Sequence, residues 1–200
     1  MNFYQEITLI PDAEISPYFL WSKVYHQLHI ALADVKNKHG IDGIGISFPN
    51  YRFEEKDGKT FATLGTKLRI FANTEDELIK LDVNYRLERL TDYVHIKPIR
   101  EVGSQAKGYV VVKRHRYKNF DKQVAKFAKF KGISLEESHA HCREHKQPIK
   151  YYPFITLNSE TTQQPYQLSI WQEAVDSPVA GKFNTYGLNS LSGSVTVPHW

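Results

Sequence analysis

A run of positive charge between residues 107 and 132 is the first feature of the sequence that could do chemistry. It holds nine Lys and Arg residues and a single acid, Asp121. From Phe120 onward the apolar residues recur with a helical period, and Gly132 stands where the helix would be capped. Three lysines share one face of this helix: Lys122, Lys126 and Lys129. Stacked like charges favour the binding of a polyphosphate, although a face that contacts only solvent would have the same pattern.

A second cluster of reactive side chains follows between His139 and His145. His141 and His145 are four residues apart, as in zinc sites, and the segment from His141 to His145 also fits the pattern H-x-x-E-H. Cys142 lies in the same segment. However, five residues make a short match, Arg143 would place a cation beside the metal, and no third ligand is evident elsewhere. We therefore favour a solvent-exposed histidine-rich face, and we expect neither a metal ion nor a cofactor.

The net charge of +4 conceals an asymmetry between the two halves of the chain. Residues 1–94 carry eleven Lys and Arg against fourteen Asp and Glu, which gives −3. Residues 95–200 carry fifteen against eight, which gives +7. The second half is therefore the half expected to bind an anion, and the first half is expected to act as a scaffold.

Length and composition narrow the class of protein. The 200 residues are enough for one full core or two small domains, and the hydrophobic fraction of 41% is that of an ordinary globular protein. Cys142 is the only cysteine, which excludes an internal disulfide and favours a reducing compartment. No apolar run has transmembrane length and the first residues do not form a signal peptide, so we expect a cytoplasmic protein with no membrane partner.

The first half of the chain predicts alternating strands and helices. Strands are predicted over residues 2–10, 44–48, 60–72 and 94–99. A Ser-Pro pair at residues 16–17 begins the first helix, which ends near Gly40, and Asn73 or Thr74 begins the second. Residues 51–59 are predicted to form a polar loop. The order β-α-β-β-α-β is that of a ferredoxin-like, or RRM-like, domain.

The second half predicts a different architecture. Ser134 and Glu137 form a capping box that opens another helix after the basic one. Two strand-like segments follow, at residues 152–157 and 166–171. The predicted fold class is therefore α+β, with a ferredoxin-like domain over residues 1–99 and a C-terminal α/β domain over residues 100–200 that contains the basic helix.

Six segments taken together resemble one known family. They are the helix carrying His29, then residues 44–49 (IGISFP), 64–70 (LGTKLRI), 104–107 (SQAK), 153–157 (PFITL) and 183–188 (FNTYGL). In that order and at those spacings they resemble the CRISPR RNA-processing endoribonucleases of subtype I-F, over essentially the whole chain. The resemblance implies a C-terminal RNA-binding domain whose basic helix enters the major groove of an RNA hairpin. It also implies metal-independent cleavage at the 3′ base of the hairpin, with the product RNA retained.

The resemblance implies three catalytic residues. His29 matches the family's catalytic histidine, Ser159 matches the serine that holds the ribose before the cut, and Tyr186 matches a tyrosine near the histidine. Each residue also has a plainer interpretation. His29 could be a surface histidine of a helix, Ser159 a turn serine, and Tyr186 a packed core residue. Thr161 or Ser169 could also be the serine's true counterpart.

The resemblance also implies RNA-binding residues. Tyr166 matches an aromatic residue that stacks on the terminal base pair of the stem, and Gln105 matches a glutamine that reads a base edge beside it. Lys126 and Lys129 fall where the family has arginines on its groove helix. The full set predicted to bind RNA is Gln105, Lys107, Arg114, Arg116, Lys122, Lys126, Lys129, Lys131 and Tyr166.

Three departures from the family pattern stand out. The base-reading arginine two places before the glutamine is Gly103 here, so the readout of the hairpin must differ locally. The groove helix is rich in lysine instead of arginine, which keeps phosphate attraction but loses bidentate contacts to guanine. Residues 113–118 carry extra positive charge for which the sequence suggests no partner.

The implied chemistry needs few groups. The 2′-hydroxyl of the substrate must be aligned with the scissile phosphate, and a base must take its proton. An imidazole suits that task, and general base help accelerates such a step by about 10²–10⁴-fold. The products would be a 2′,3′-cyclic phosphate and a 5′-hydroxyl.

The predicted function is therefore an endoribonuclease that matures CRISPR RNA from the repeat hairpin. Its predicted partners are this RNA and the other subunits of a type I-F CRISPR surveillance complex. One alternative is a non-cleaving subunit that binds the hairpin within such a complex. A weaker alternative is a zinc-dependent nuclease that uses the segment from His139 to His145.

Overall fold

The computed structural model of the protein describes residues 1–117, 119–145, 149–159 and 162–200. Lys118 and Thr161, which figure in the predictions above, lie outside the described residues. The chain forms two compact units, a larger one made of Met1–His115 with Tyr152–Trp200 and a smaller one made of Arg116–Tyr151. This division differs from the predicted boundary between residues 99 and 100, which stays a prediction.

The larger unit contains two main antiparallel sheets. Its elements are β1 (Phe3–Leu9), α1 (Pro17–His39), β2 (Gly45–Ser47), β3 (Arg52–Lys56), β4 (Lys59–Thr63), β5 (Lys67–Ala72), α2 (Glu75–Leu81), α3 (Val83–Arg86), β6 (Val94–Ile96), β7 (Arg100–Glu101), β8 (Gly108–His115), β9 (Phe154–Asn158), β10 (Pro165–Val175) and β11 (Thr196–His199). The first sheet has the order β2-β5-β1-β6, with β7 also paired to β1. The predicted β-α-β-β-α-β order is observed along the chain, with β3 and β4 added as a separate hairpin.

That hairpin corrects two predictions. Residues 51–59 are not a polar loop, and residues 60–72 are not one strand. Asp57 and Gly58 both adopt positive φ angles, 52° and 70°, and form the tight turn between β3 and β4. Gly65 then separates β4 from β5: its φ is 73°, and a Cβ there would lie 2.3 Å from the Asn50 side chain. Most hairpin residues are exposed, so no clear apolar alternation marked the strands.

Helix α1 forms as its sequence signals predict. Ser16 Oγ accepts a hydrogen bond from the Phe19 amide, Pro17 opens the helix, and Gly40 ends it in the left-handed conformation. One face of the helix is buried, and it consists of Leu20, Trp21, Val24, Tyr25, Leu28, Ala31, Leu32 and Val35. Even α1, with 23 residues, is too polar to cross a membrane, and no other helix in the described part of the chain meets that requirement.

The second sheet has the order β11-β8-β10-β9, with antiparallel neighbours. Strand β8 takes up the first part of the basic run and was not predicted. Three consecutive valines in this strand are buried: Val110, Val111 and Val112. β-Branched side chains such as valine favour strands because they pack well on a pleated surface. The basic run is therefore divided between the two units. Lys113 and Arg114 are strand residues of the larger unit, and the helix that carries Lys122, Lys126 and Lys129 belongs to the smaller one.

The smaller unit consists mainly of two helices, α4 (Phe120–Lys131) and α5 (Leu135–Glu144). Gly132 ends α4 in the left-handed conformation, and Ser134 and Glu137 form the capping box of α5, both as predicted. Among its described residues, only Val124, Ala128 and Ser138 are buried. The hydroxyl of Ser138 donates to the Val124 carbonyl at 2.7 Å, which ties the two helices together.

Candidate active site

A hydrogen bond to the loop between β10 and β11 fixes the orientation of the His29 ring. Its Nδ1 lies 2.7 Å from the carbonyl oxygen of Thr185. Because a carbonyl only accepts hydrogen bonds, Nδ1 must carry the proton. In the neutral ring, Nε2 is then the unprotonated nitrogen and keeps its lone pair. The half-buried His29 therefore has the tautomer that a general base acting through Nε2 requires.

The ring of Tyr186 fixes the plane of this imidazole. The two rings are stacked, with centroids 4.0 Å apart and an interplanar angle of 2°. The Tyr25 hydroxyl donates to the Tyr186 carbonyl at 2.7 Å, and burial raises the pKa of Tyr25 well above its ordinary value, so this donor keeps its proton. Gly187 follows with a φ of 68°, where a Cβ would lie 2.8 Å from Ile46. The loop that carries Tyr186 is thus anchored to α1 and to β2.

Two tyrosine hydroxyls meet in the same place. The hydroxyl oxygens of Tyr166, on β10, and Tyr186 lie 2.7 Å apart. Burial and this hydrogen bond raise the pKa of Tyr166 well above its ordinary value. Tyr166 therefore keeps its proton at physiological pH and acts as a hydrogen-bonding group.

Arg114 brings positive charge to the tyrosine pair. Its guanidinium carbon lies 5.1 Å from the ring centroid of Tyr186 and 5.6 Å from that of Tyr166. Its Nε is buried and has no hydrogen-bond partner within the described ranges. A guanidinium beside two aromatic rings on the wall of a cleft can attract an anionic ligand through its charge. Arg114 is among the residues predicted to bind RNA, but nothing in the sequence places it beside Tyr186.

Aromatic rings are the partners of two cations of the segment 113–118, Lys113 and Arg114, for which the sequence suggested none. The ammonium group of Lys113 lies 5.2 Å from the ring centroid of Trp171. Lys113 and Arg114 are adjacent in β8, so their side chains point to opposite faces of the sheet. The pairing register places Arg114 opposite Ile170 and Lys113 opposite Trp171 on β10.

Ser159 follows β9 at the turn toward β10. Its Oγ accepts a hydrogen bond from the Thr162 amide at 3.2 Å, and its own amide donates to the Gln164 carbonyl at 3.0 Å. The turn interpretation of this serine is therefore correct as a description of its backbone. The hydroxyl proton is still available, because an accepting oxygen can donate at the same time.

These residues line a single cleft of about 600 Å³, which we call the His29 cleft. The predicted site residues that it brings together are His29, Arg114, Ser159, Tyr166 and Tyr186. His26 also lines the cleft. An imidazole of fixed tautomer, a serine hydroxyl and a guanidinium within one cleft form a suitable set for acting on a phosphodiester.

Gln105 and Lys107 lie elsewhere in the larger unit. Both precede β8, whereas Arg114 is near its end, and six residues of strand from Gly108 span roughly 20 Å. The Gln105 amide nitrogen lies 3.5 Å from the Tyr4 hydroxyl. Both residues are exposed, so they are free to meet a ligand, but they do not line the His29 cleft.

In the smaller unit, the predicted lysine row is present on α4. Lys122, Lys126 and Lys129 are all exposed, as are Lys131 and Arg116. Across the described ranges, none of these five cations forms an ion pair with a carboxylate. Their charge is therefore not neutralised by the described part of the protein.

The histidine-rich segment contributes aromatic packing to the same unit. The His141 ring stacks on Phe127, with centroids 4.6 Å apart, and also lies 4.2 Å from His145. The His139 ring meets Phe120 edge to face at 5.3 Å. Within the part of the chain that the structure describes, no group of three or more His, Cys, Asp or Glu is arranged to hold a metal ion.

The sequence is similar to known proteins over its whole length. It shares 28% identity over 200 residues with the "CRISPR-associated endonuclease Cas6/Csy4" of Escherichia coli (strain UTI89 / UPEC), covering 99% of each chain. It shares 30% identity with the protein of the same name from Pseudomonas aeruginosa (strain UCBPP-PA14), covering 94% of this chain and 96% of that one. A solved structure described as "An RAMP protein binding different RNA substrates" overlaps with a TM-score of 0.36 at 11% identity and 99% coverage of both chains, which is too loose to support an inference.

The family model of the CRISPR-associated protein Cas_Csy4 matches residues 4–200. The match includes every residue of the His29 cleft and the whole lysine row. The predicted family resemblance is therefore confirmed, and the chain belongs to the Cas_Csy4 family of CRISPR-associated proteins.

Proposed function

We propose that this protein is an endoribonuclease that matures CRISPR RNA by cutting the repeat RNA at the 3′ base of its hairpin. Family membership and the endonuclease names of two relatives support this activity. The observation that carries the proposal is the fixed tautomer of His29, because the Thr185 carbonyl leaves Nε2 as the nitrogen that can accept a proton. A general base requires a defined tautomer, whereas a histidine that only contacts solvent does not.

In the proposed reaction, Nε2 of His29 takes the proton of the 2′-hydroxyl on the nucleotide before the cut. The 2′-oxygen attacks the adjacent phosphorus, and the bond from phosphorus to the 5′-oxygen breaks. The leaving 5′-oxygen gains a proton and becomes a 5′-hydroxyl, while the other product ends in a 2′,3′-cyclic phosphate. General base help of this kind contributes about 10²–10⁴-fold.

Alignment of the ribose is the second contribution. The Ser159 hydroxyl lines the cleft and can bond the ribose, which would hold the 2′-oxygen in line with the leaving group. Tyr186 acts as a positioning residue, because its ring holds the imidazole at 4.0 Å and limits its rotation.

Binding of the hairpin is assigned to two sets of side chains. In the His29 cleft, the Tyr166 ring would stack on the end of the stem, and the Arg114 guanidinium would attract phosphate through its charge. On α4, the unpaired ammonium groups of the lysine row attract the phosphates of the stem. Arg116, Lys131, Gln105 and Lys107 are proposed as further contacts to the same RNA.

The finer layout follows the family. We assign the ferredoxin-like domain to residues 1–99 and the RNA-binding domain to residues 100–200. We also propose that the protein retains its product as part of a type I-F surveillance complex in the cytoplasm. Binding of the hairpin without cleavage does not require an imidazole of fixed tautomer, so the restraint on His29 supports the nuclease. The stacking of His141 between Phe127 and His145 gives a zinc-dependent nuclease less support than the His29 cleft.

Cleavage of repeat RNA in the presence of a chelator tests the proposal. The protein should cut the RNA once, at the 3′ base of the hairpin, and the upstream product should carry a cyclic phosphate by mass spectrometry. A substrate with 2′-deoxyribose before the cut should bind but stay intact. Cleavage of the deoxy substrate would show that water is the nucleophile, and a strict need for a divalent metal would contradict the mechanism.

A further inference from the structure

A second cleft of about 590 Å³ adjoins the His29 cleft in the larger unit. The two share three lining residues: His26, Asn158 and Ser159. Because Ser159 is proposed to hold the ribose before the cut, RNA that passes this residue would enter the second cleft. We call it the Tyr85 cleft.

The walls of the Tyr85 cleft are fixed by hydrogen bonds. Its long wall is the middle of α1, where the Ser22 hydroxyl donates to the Thr156 carbonyl of β9. Its second wall is α3 with the 3₁₀ turn Glu88–Leu90, and the Arg86 guanidinium donates to Asp34 of α1 at 2.7 Å. The cleft is therefore a built feature between three packed elements and not a gap beside a loose loop.

The side chains of this cleft suit single-stranded RNA. Tyr85 lines it and is 64% exposed, which leaves a flat aromatic face available for a base. Lys23 and Arg89 also line it, and neither has a carboxylate partner within the described ranges. Among the described residues that line the cleft, Glu88 is the one acid, so the cations exceed it. An aromatic platform beside phosphate-binding cations is the usual design of single-strand binding sites.

We propose that the Tyr85 cleft binds the single-stranded RNA on the 3′ side of the scissile phosphate. The inference rests on the proposed function, because that function sets the direction in which the RNA strand runs through the two clefts. The Tyr166 ring is assigned to the stem, which precedes the cut, and the Tyr85 cleft begins at Ser159 away from that ring. The strand that leaves the scissile phosphate therefore runs toward Tyr85.

The consequence is a difference between substrate and product. The 3′ flank is attached to the hairpin only before cleavage, so its contacts stabilise the bound substrate and not the bound hairpin product. Tyr85 would stack on a base of the flank, while Lys23 and Arg89 would meet its phosphates. After the cut the short flank is held by this cleft alone, and it can leave while the hairpin stays bound.

The test compares two repeat hairpins, one that ends at the cut and one with six unpaired nucleotides beyond it. Both carry 2′-deoxyribose before the cut, so that binding is measured without cleavage. The flank should tighten binding to the wild-type protein by about tenfold, as expected for one stacked base. Tyr85→Ala should abolish that gain, and both proteins should bind the hairpin without a flank equally well.

Two variants serve as matched controls. Phe61→Ala removes an aromatic side chain that is 50% exposed on β4, and Lys36→Ala removes an exposed cation from the end of α1. Neither residue lines the Tyr85 cleft, so the gain from the flank should persist in both. Arg89→Ala should reduce the salt dependence of flank binding by about 0.7 in the slope of log K against log salt.

The inference is wrong if the wild-type protein binds both hairpins equally, or if Tyr85→Ala weakens both to the same extent. A wild-type protein that binds neither hairpin would overturn the proposed function instead. The two failures are therefore distinguishable in one titration.

Discussion

In the larger unit, the side chains that could act on RNA are restrained from several sides. His29 is held by the Thr185 carbonyl and by the ring of Tyr186, and that tyrosine is held in turn by the hydroxyls of Tyr25 and Tyr166. In the smaller unit, the lysine row lies on a helix whose described surroundings bury only three side chains, and its ammonium groups face solvent.

The difference matches what each kind of group would do under the proposed function. Attack by a 2′-oxygen requires its alignment with the leaving group, and small displacements of the catalytic groups cost rate. Attraction between a lysine and a phosphate acts over the Debye length, about 8 Å at physiological salt, and tolerates a flexible side chain. A thinly packed helix pair is therefore sufficient for the second task and unsuitable for the first.

The largest expected effect concerns the imidazole. His29→Ala should lower the cleavage rate by about 10²–10⁴-fold, since it removes the base, while affinity for the hairpin changes little. Single-turnover kinetics and a binding titration measure the two quantities separately. His95→Ala, which removes an exposed histidine on β6, is the matched control and should leave both unchanged. Loss of binding with unchanged cleavage would reverse the assignment of roles.

The second effect concerns the packing of the larger unit. Glu6 is buried on β1 and forms ion pairs with Arg69 at 2.8 Å and Lys97 at 2.7 Å. Glu6→Gln should reduce the free energy of unfolding of this unit by about 3–5 kcal/mol, because it leaves buried charge without a partner. Denaturant unfolding monitored by tryptophan fluorescence measures it. Glu54→Gln, in an exposed pair with Arg52, should change little.

Glu6 also predicts a pH dependence. Burial alone would raise its pKa, but the hydrogen bonds from Lys97 and Arg69 and the charges of Arg69 and Lys67 together lower its pKa below the ordinary 4.5. The stabilisation is therefore fully present above pH 4.5 and is lost as the pH falls through the lowered pKa of the folded state. The wild-type protein should lose stability in that range, and Glu6→Gln should lose less.

The third effect is confined to the smaller unit. Ser138→Ala removes the hydroxyl that donates to the Val124 carbonyl and should cost about 1–3 kcal/mol. Hydrogen exchange should show faster opening of α4 and α5, with no change in the sheets of the larger unit. Hairpin affinity should fall more than the cleavage rate at saturating RNA. Equal destabilisation of both units would contradict their separation.

The smallest effects concern the lysine row one residue at a time. Lys122→Ala, Lys126→Ala and Lys129→Ala should each flatten the slope of log K against log salt by up to about one unit. The cleavage rate at saturating RNA should not change. Lys36→Ala, at the end of α1, provides the matched control. Unchanged slopes in all three variants would mean that this face of α4 contacts only solvent.

Local signals in the sequence were sufficient for the helices. Ser16 and Pro17 begin α1, Gly132 ends α4, and Ser134 with Glu137 opens α5, all as predicted. Each of these signals works through hydrogen bonds to the backbone a few residues away, so no distant contact is needed to interpret it.

The strands were harder to predict. Most residues of the hairpin of β3 and β4 are exposed, so its side chains show no clear alternation between core and solvent, and the sequence predicts a loop there. Strand β8 was hidden within a run of charge that includes Lys113 and Arg114. Its identity depends on pairing with β10 and β11, which lie more than fifty residues later in the chain.

By itself, the sequence determined where α1 begins and ends, where α4 ends and where α5 begins, and its resemblance to one family supplied the predicted catalytic residues His29, Ser159 and Tyr186. Tertiary structure decided which side chains meet. Arg114 reaches the tyrosine pair because of the register between β8 and β10, and the tautomer of His29 depends on the carbonyl of Thr185, 156 residues away. Such contacts arise when distant segments pack together, and neither charge nor spacing along the chain encodes them locally.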